Sequence, residues 1–293
     1  MKIIPGEIKT GELHSYLLGA VAPRPICFAS TLDKDGHPNL SPFSFFNVFG
    51  SNPTTLVFSP ARRVRDNTVK HTLLNIQETR EVVINVVNYA MVQQASLSSC
   101  DYPRGVDEFE KAGFTKLASE KVKPFRVAES PVQMECKVRD IIETGTEGGA
   151  GNLIICEVLV MHINDAVLDE KKHIDPNKID LVARMGGDFY CRASGASVFE
   201  VAKPHTQLGI GVDALPESIR KSKVLTGNNL GQLANVHEMP FIDPTFHDDK
   251  LKNIIQYYSI NPDELDTELQ RYAKELLDAG KVNEAWQILL ADV

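Results

Sequence analysis

The segment PRPICFASTLDKDGHPNLSPFSFFN, which starts at Pro23 and ends at Asn47, constrains the fold more than any other stretch of the chain. Ile26–Leu32 is an apolar, β-rich run that stops at Asp33-Lys34-Asp35-Gly36, and a second run follows at Pro38–Phe46. Asp and Gly tolerate the positive φ of a tight reversal, so D-K-D-G predicts a hairpin joining the two runs. Thr55–Ser59 and Val82–Val87 read as two more strands. Val132–Ile142 alternates, with Val132, Met134, Cys136 and Val138 on one side of a pleat and Gln133, Glu135, Lys137 and Arg139 on the other. Leu153–Ile163 is a long apolar run, and E-T-G-T-E-G-G-A-G-N joins it to the preceding strand as a hairpin. Helices interrupt only briefly: Thr68–Glu78 with Asp66-Asn67 as its cap, Ala90–Ser99, and Asp107–Ala112 ended by Gly113. Six or more strands against so few helices predict a mainly β fold, an antiparallel barrel rather than a doubly wound parallel sheet.

The pattern changes near residue 200. Thr206–Asn235 is Gly-rich and without clear periodicity. Asn261-Pro262 then opens a helix whose Leu265, Leu269, Tyr272 and Leu276 form one stripe, ended by Gly280. Glu284–Leu290 is a last short helix and carries the only tryptophan, Trp286. No self-similar period runs through the chain, which excludes a solenoid or propeller. The division expected is a barrel domain over residues 1–200 and a Gly-rich, helical C-terminal extension over 201–293.

A net charge of −8 without any basic tract excludes a sequence-independent nucleic-acid binder, which must neutralise phosphates. No apolar run is long enough to span a membrane. The N-terminal MKIIPGEIKTGEL lacks the apolar core of a signal peptide, so a cytoplasmic location is expected. Five cysteines at irregular spacing, with no C-x-x-C, read as structural thiols. His162 in LVMHI reads as a satisfied core histidine rather than a metal ligand. G-T-E-G-G-A-G-N lacks a following G-K-[ST], and G-I-G-V-D-A is only part of a dinucleotide fingerprint. No metal site and no side-chain acid, base or nucleophile stands out.

What remains is a cluster of small hydroxyls, amides and aromatics at strand ends, followed by a basic segment: Ala29-Ser30-Thr31, then Asn39 to Asn47, then SPARRVRDNTVKHT from Ser59 to Thr72. Such groups suit a flat, polar-edged cofactor bearing a phosphate. Ser and Asn side chains meet a ring's polar rim while Phe packs on its face. Arg62, Lys70, Thr72 and a helix start suit the phosphate. The same residues also fit an ordinary buried strand followed by a solvated turn, and the residues alone leave both readings open.

PRPICFASTLDKDGHPNLSPFSFFNVFGSNP, KHTLLNIQETREVVINVV, SSCDYPRGVDEFEKAGF, VAESPVQMECKV and RMGGDFYCR together resemble the flavin reductase-like, FMN-binding split-barrel family, in family order over about residues 15–195. The resemblance implies a six-stranded antiparallel Greek-key split barrel and a homodimer with FMN near the subunit interface. It also implies hydride transfer from NADH or NADPH to FMN. Carried over by position, Ser30 and Thr31 line the flavin ring, and Ser41, Pro42, Ser44, Phe45 and Asn47 surround the ring and ribityl chain. Ser59, Arg62, Lys70 and Thr72 bind the phosphate, and Arg24 approaches the flavin from the start of the first strand. Arg184 to Tyr190 closes the barrel and edges the nicotinamide site, although Met185-Gly186 stands where the shorter monooxygenase reductases carry a histidine. The longer flavoredoxin-like branch therefore fits better. Two further readings belong with this one: a flavin electron carrier serving an electron-transfer or monooxygenase partner, and a non-catalytic flavin-binding barrel.

Overall fold

Alternating apolar runs build a seven-stranded, wholly antiparallel sheet in the computed structural model, which describes residues 1–203 and 208–291. The first of two units, Met1–Phe199, contains it. In chain order it holds α1 (Thr10–Ala20), β1 (Cys27–Leu32), β2 (Pro38–Phe43), β3 (Phe46–Ser51), β4 (Thr54–Phe58), α2 (His71–Thr79) and β5 (Glu81–Val86). There follow α3 (Val92–Leu97), α4 (Glu108–Ala112), the short pair β6 (Lys116–Leu117) and β7 (Arg126–Val127), β8 (Val132–Glu143) and β9 (Asn152–Ile163), then the hairpin β10 (Leu181–Arg184) and β11 (Tyr190–Ala193).

The strand order β2-β1-β5-β8-β9-β4-β3 forces the sheet to curl. Laid flat, the two edge strands would stand about 29 Å apart at the usual interstrand spacing. Only Ser44 and Phe45 separate β2 from β3 along the chain, a span of at most about 11 Å. The edges therefore approach each other at this corner and the barrel is split between them. The strand count corrects the expected six. The run read as one strand, Pro38–Phe46, breaks at Ser44-Phe45 and resumes as β3, because apolar residues continue through a turn that carries no Gly or Asn to mark it.

β1 is buried on both faces, since helices cover the outer one. Cys27 and Ala29 point into the barrel core with Phe58, Ile84, Cys136 and Ile154, and Leu73 and Ile76 of α2 close that core at one end. Ile26 and Phe28 point outward against Met91, Ala95 and Phe109 of the α3–α4 region. Cys27, Cys136 and Cys156 are buried free thiols, and burial pushes Cys156 up to about 12. His162 is a satisfied partner, its Nε2 lying 2.7 Å from Oε1 of the buried Glu135. Burial alone would raise Glu135, but the Glu120 and Lys121 amides and this ring hold it below its ordinary value.

Two helices differ from expectation. α1 was not predicted, and none of its residues is buried within the chain. α2 begins at His71 rather than Thr68: the Asp66 carboxylate accepts from the Thr68 amide and hydroxyl in a local turn, and Asn67 takes φ 57°.

The second unit, Glu200–Val293, is helical among its described residues. It comprises α5 (Glu217–Arg220), α6 (Gly227–Ala234), α7 (Asp249–Tyr258), α8 (Pro262–Asp278) and α9 (Val282–Leu290). Thr226 and Asn229 cap α6 reciprocally, giving structure to a segment that read as Gly-rich and irregular. The start of that Gly-rich stretch, Thr206-Gln207, lies outside the described residues. Leu265, Leu269, Ala273 and Leu277 of α8 bury against Leu233 and Trp286, with Tyr272 and Leu276 at the margin. No described helix is long and apolar enough to cross a membrane.

Candidate functional site

The inward face of the β1–β2 hairpin carries polar residues where it meets α2. Asn75 donates from Nδ2 to Thr31 Oγ1 at 3.2 Å, and Asn39 donates to Thr72 Oγ1 at 2.9 Å, all four residues being buried. Side chains alternate along a strand, so buried Ser41 shares this face with Asn39. Thr31 and Thr72 hold α2 onto the hairpin. Ser30 points to the opposite face from Thr31, so the two do not line one flat ring together. The Ser30 Oγ is fully buried and finds no hydrogen-bond partner among the described residues. An unmet buried hydroxyl costs about 1–3 kcal/mol, and Ser30 carries that cost within the sheet.

The split corner gathers the next group. Pro42 is half-buried and precedes it on β2. Ser44 Oγ accepts from Arg24 Nε at 3.4 Å, and the partly exposed Phe45 ring meets His14 of α1 edge-on, with centroids 6.1 Å apart. Asn47 is exposed and accepts from the Val48 amide. Arg24 is 6% exposed, and its guanidinium donates to the carbonyls of Leu18, Val21 and Met185 at 2.6, 2.5 and 2.9 Å. It therefore acts on the protein's own backbone, joining the end of α1, the corner and the turn after β10. Arg184 pairs with it through backbone hydrogen bonds in both directions.

The basic segment folds onto the β8–β9 hairpin. Arg62 N donates to Ala150 O, Gly149 N donates back to Arg62 O, and Ser59 Oγ accepts from the buried Asn152 amide at 3.0 Å. A Cβ on Gly148 would stand 3.0 Å from Arg63 O, so glycine permits this close approach. E-T-G-T-E-G-G-A-G-N thus grips the basic loop.

Three cations of that loop converge on one carboxylate. Asp101 Oδ1 accepts from Arg63 Nη2 at 2.6 Å and from Lys70 Nζ at 3.1 Å, while Oδ2 accepts from Arg65 Nη2. Arg65, then Arg63 and Lys70, hold the Asp101 carboxyl well below the usual carboxylate range. Asp66 also pairs with Arg65 at 3.0 Å, so three cations and two carboxylates leave one formal positive charge in excess. Lys70 is also the N-cap of α2 and its side chain caps no amide, so the helix's first amides face this cluster uncapped. Arg62 is half-buried, and its Nε is buried without a partner among the described residues. Burial, then Arg104, Arg63 and Lys70, push the His71 imidazole below its ordinary value. The arrangement attracts anions.

Of the expected phosphate ligands, Lys70 stands in this cation cluster and Arg62 in the loop that forms it. Ser59 and Thr72 are buried and engaged with Asn152 and Asn39. Asn39 and Arg63 belonged to the cluster read from the sequence without an assigned role, whereas Asp101 and Asn75 were not predicted. The paired threonines and asparagines were legible as a polar cluster, but nothing local marks Asp101 as the partner of arginines more than thirty residues away.

Residues 19–178 match the flavin reductase like domain, and the chain belongs to that family. An uncharacterized protein of Aquifex aeolicus is 35% identical over 201 residues, covering 69% of this chain and all of the relative. Nitrilotriacetate monooxygenase component B from Bacillus cereus is similar in structure, with a TM-score of 0.63 and 26% identity over 69% of this chain and 98% of that one. The 2-nitrobenzoate 2-nitroreductase of Pseudomonas fluorescens has a TM-score of 0.61 and the same identity, over 69% of this chain and 96% of that one.

Proposed function

We propose that this protein is an FMN-dependent oxidoreductase that takes hydride from NADH or NADPH. The observation that carries the proposal is the excess positive charge of Arg63, Arg65 and Lys70 at the uncapped start of α2, in a chain of the flavin reductase-like family. The residues fit the group: the cationic cluster suits a phosphate, and Arg62 in the same loop has a buried Nε without a partner among the described residues. Bound FMN supplies a hydride-accepting ring, so the protein's task is placement, electrostatics and water exclusion. Lys70 and the α2 amides hold the phosphate, and Phe45 and Ser44 at the split corner flank the ring.

The proposal includes a homodimer. Leu17 and Val21 at the end of α1 and Val48 and Phe49 on edge strand β3 are exposed apolar side chains, and a second copy covers them. The nitrilotriacetate monooxygenase relative suggests a monooxygenase as one acceptor of the reduced flavin.

Anaerobic addition of NADH or NADPH to the FMN-loaded protein is expected to bleach the visible flavin bands, and light scattering on the same preparation to give a dimer mass. Yellow protein reduced only by another electron-transfer protein would make it a carrier instead, and failure to take up FMN would remove the proposal. Lys70→Ala is expected to weaken FMN binding by about 1.5–3 kcal/mol through loss of a charge-assisted hydrogen bond. Riboflavin, which lacks the phosphate, is expected to bind the variant and the natural protein alike.

A further inference from the structure

We infer that Asp101 is a built-in counter-anion for the phosphate cradle, one that an incoming phosphate displaces, so that loading the site and releasing the Asp101 loop are one event. The inference rests on the phosphate reading above.

Both Asp101 oxygens are engaged, one with Arg63 and Lys70 and the other with Arg65. A phosphate that uses Lys70 competes for the same donor. A second anion beside Asp101 is also repelled by it, by about 1 kcal/mol at 4 Å in water and more near a protein surface. Something must yield, and the elements differ in how firmly they are held. Arg63 is anchored from the rear: its Nη1 donates to Thr68 Oγ1 at 2.7 Å and to Val69 O at 3.3 Å, and its amide to Thr68 O. Lys70 is fixed at the start of α2. Asp101 sits between α3 and α4, with its side chain 39% exposed. Its neighbours hold mainly to one another: Tyr102 N donates to Cys100 O, and Val106 N to Pro103 O. The next tie to the rest of the barrel is the exposed pair Arg104–Glu78 at 3.6 Å, a weak contact. The loop yields and the cradle stays.

Asp101→Asn keeps the side chain's shape while removing its charge. It is expected to bind FMN about fivefold more tightly than the natural protein, the effect of releasing a few partly exposed ion pairs, with riboflavin affinity unchanged. FMN binding that is equal or weaker in Asp101→Asn would overturn the inference and make Asp101 an organiser of the cradle. A second measurement needs no variant. Limited trypsin cleavage after Arg104, in the same loop, is expected to speed up when the natural protein is saturated with FMN and not when it is saturated with riboflavin. Protection by FMN would overturn the inference equally. If the natural protein binds FMN and riboflavin with the same affinity, the phosphate reading itself falls, an outcome distinct from either of these.

Discussion

Replacing Arg24 with methionine is expected to destabilise the Met1–Phe199 unit by about 3–5 kcal/mol and to lower its melting temperature by about 10 °C. The guanidinium is 6% exposed and donates to three carbonyls. Two of them, Leu18 and Val21, belong to the C-terminal end of α1, which has no basic residue in its last turn; Arg24 supplies the positive charge that a helix end prefers. The third, Met185, lies just after β10. Methionine fills a similar volume but donates nothing, so the carbonyls lose their partner inside the protein. Lysine restores the charge but not the planar fork, and a single ammonium cannot serve carbonyls on both sides. Arg24→Lys is therefore expected to recover less than half of the loss. Since Arg24 Nε also reaches Ser44, flavin affinity is expected to fall along with stability. Thermal unfolding followed by circular dichroism checks this. A methionine variant melting within about 1 °C of the natural protein would mean that these hydrogen bonds carry no net stability.

What the sequence made legible was local chemistry. Asp33 and Gly36 announced the β1–β2 hairpin, and Gly36 does take φ 87°. The alternation over Val132–Val138 placed Val132, Met134, Cys136 and Val138 in the core. Pro262 and Gly280 bracket α8 and the turn after it. Most of the misses involve contacts made across the chain, and one a competing local turn. β3 was hidden because the Ser44-Phe45 turn is stabilised by Arg24 and by the Ser59 amide donating to Phe45 O, not by turn residues. Asp66 looks like a helix cap, yet its carboxylate is captured two residues on by Thr68, which leaves α2 to start uncapped at the cations. Arg24 read as a ligand-facing cation, and its guanidinium serves the backbone carbonyls of Leu18, Val21 and the distant Met185. Lys70 read as a cation near a helix start, and it stands at the N-cap of α2, whereas Asp101, which meets it, carries no local signature.

The second large effect is expected in the helical unit. Trp286 is fully buried among Leu233, Leu277, Ile288 and Leu289, and Trp286→Ala is expected to cost about 3–5 kcal/mol in lost burial and residual cavity. Burial argues for that full range, but the indole adds an opposing contribution. Its Nε1 is buried with no acceptor among the described residues, and an indole N–H can only donate. Leaving that donor unmet already costs the natural protein about 1–3 kcal/mol. Trp286→Phe removes the unmet donor together with part of the ring, so the two effects offset and the expected loss is at most about 1 kcal/mol. The contrast between the two variants separates shape from polarity. A phenylalanine variant as unstable as the alanine one would mean that the indole N–H has a partner or that the cavity tolerates no smaller ring. Far-UV circular dichroism during chemical denaturation reads both variants. In the natural protein the sole tryptophan adds a second probe, because its emission reports on the Glu200–Val293 unit while flavin absorbance reports on the barrel. If the two units unfold independently, the tryptophan and flavin midpoints differ, and Trp286→Ala lowers only the loss of helix and leaves the flavin midpoint unchanged.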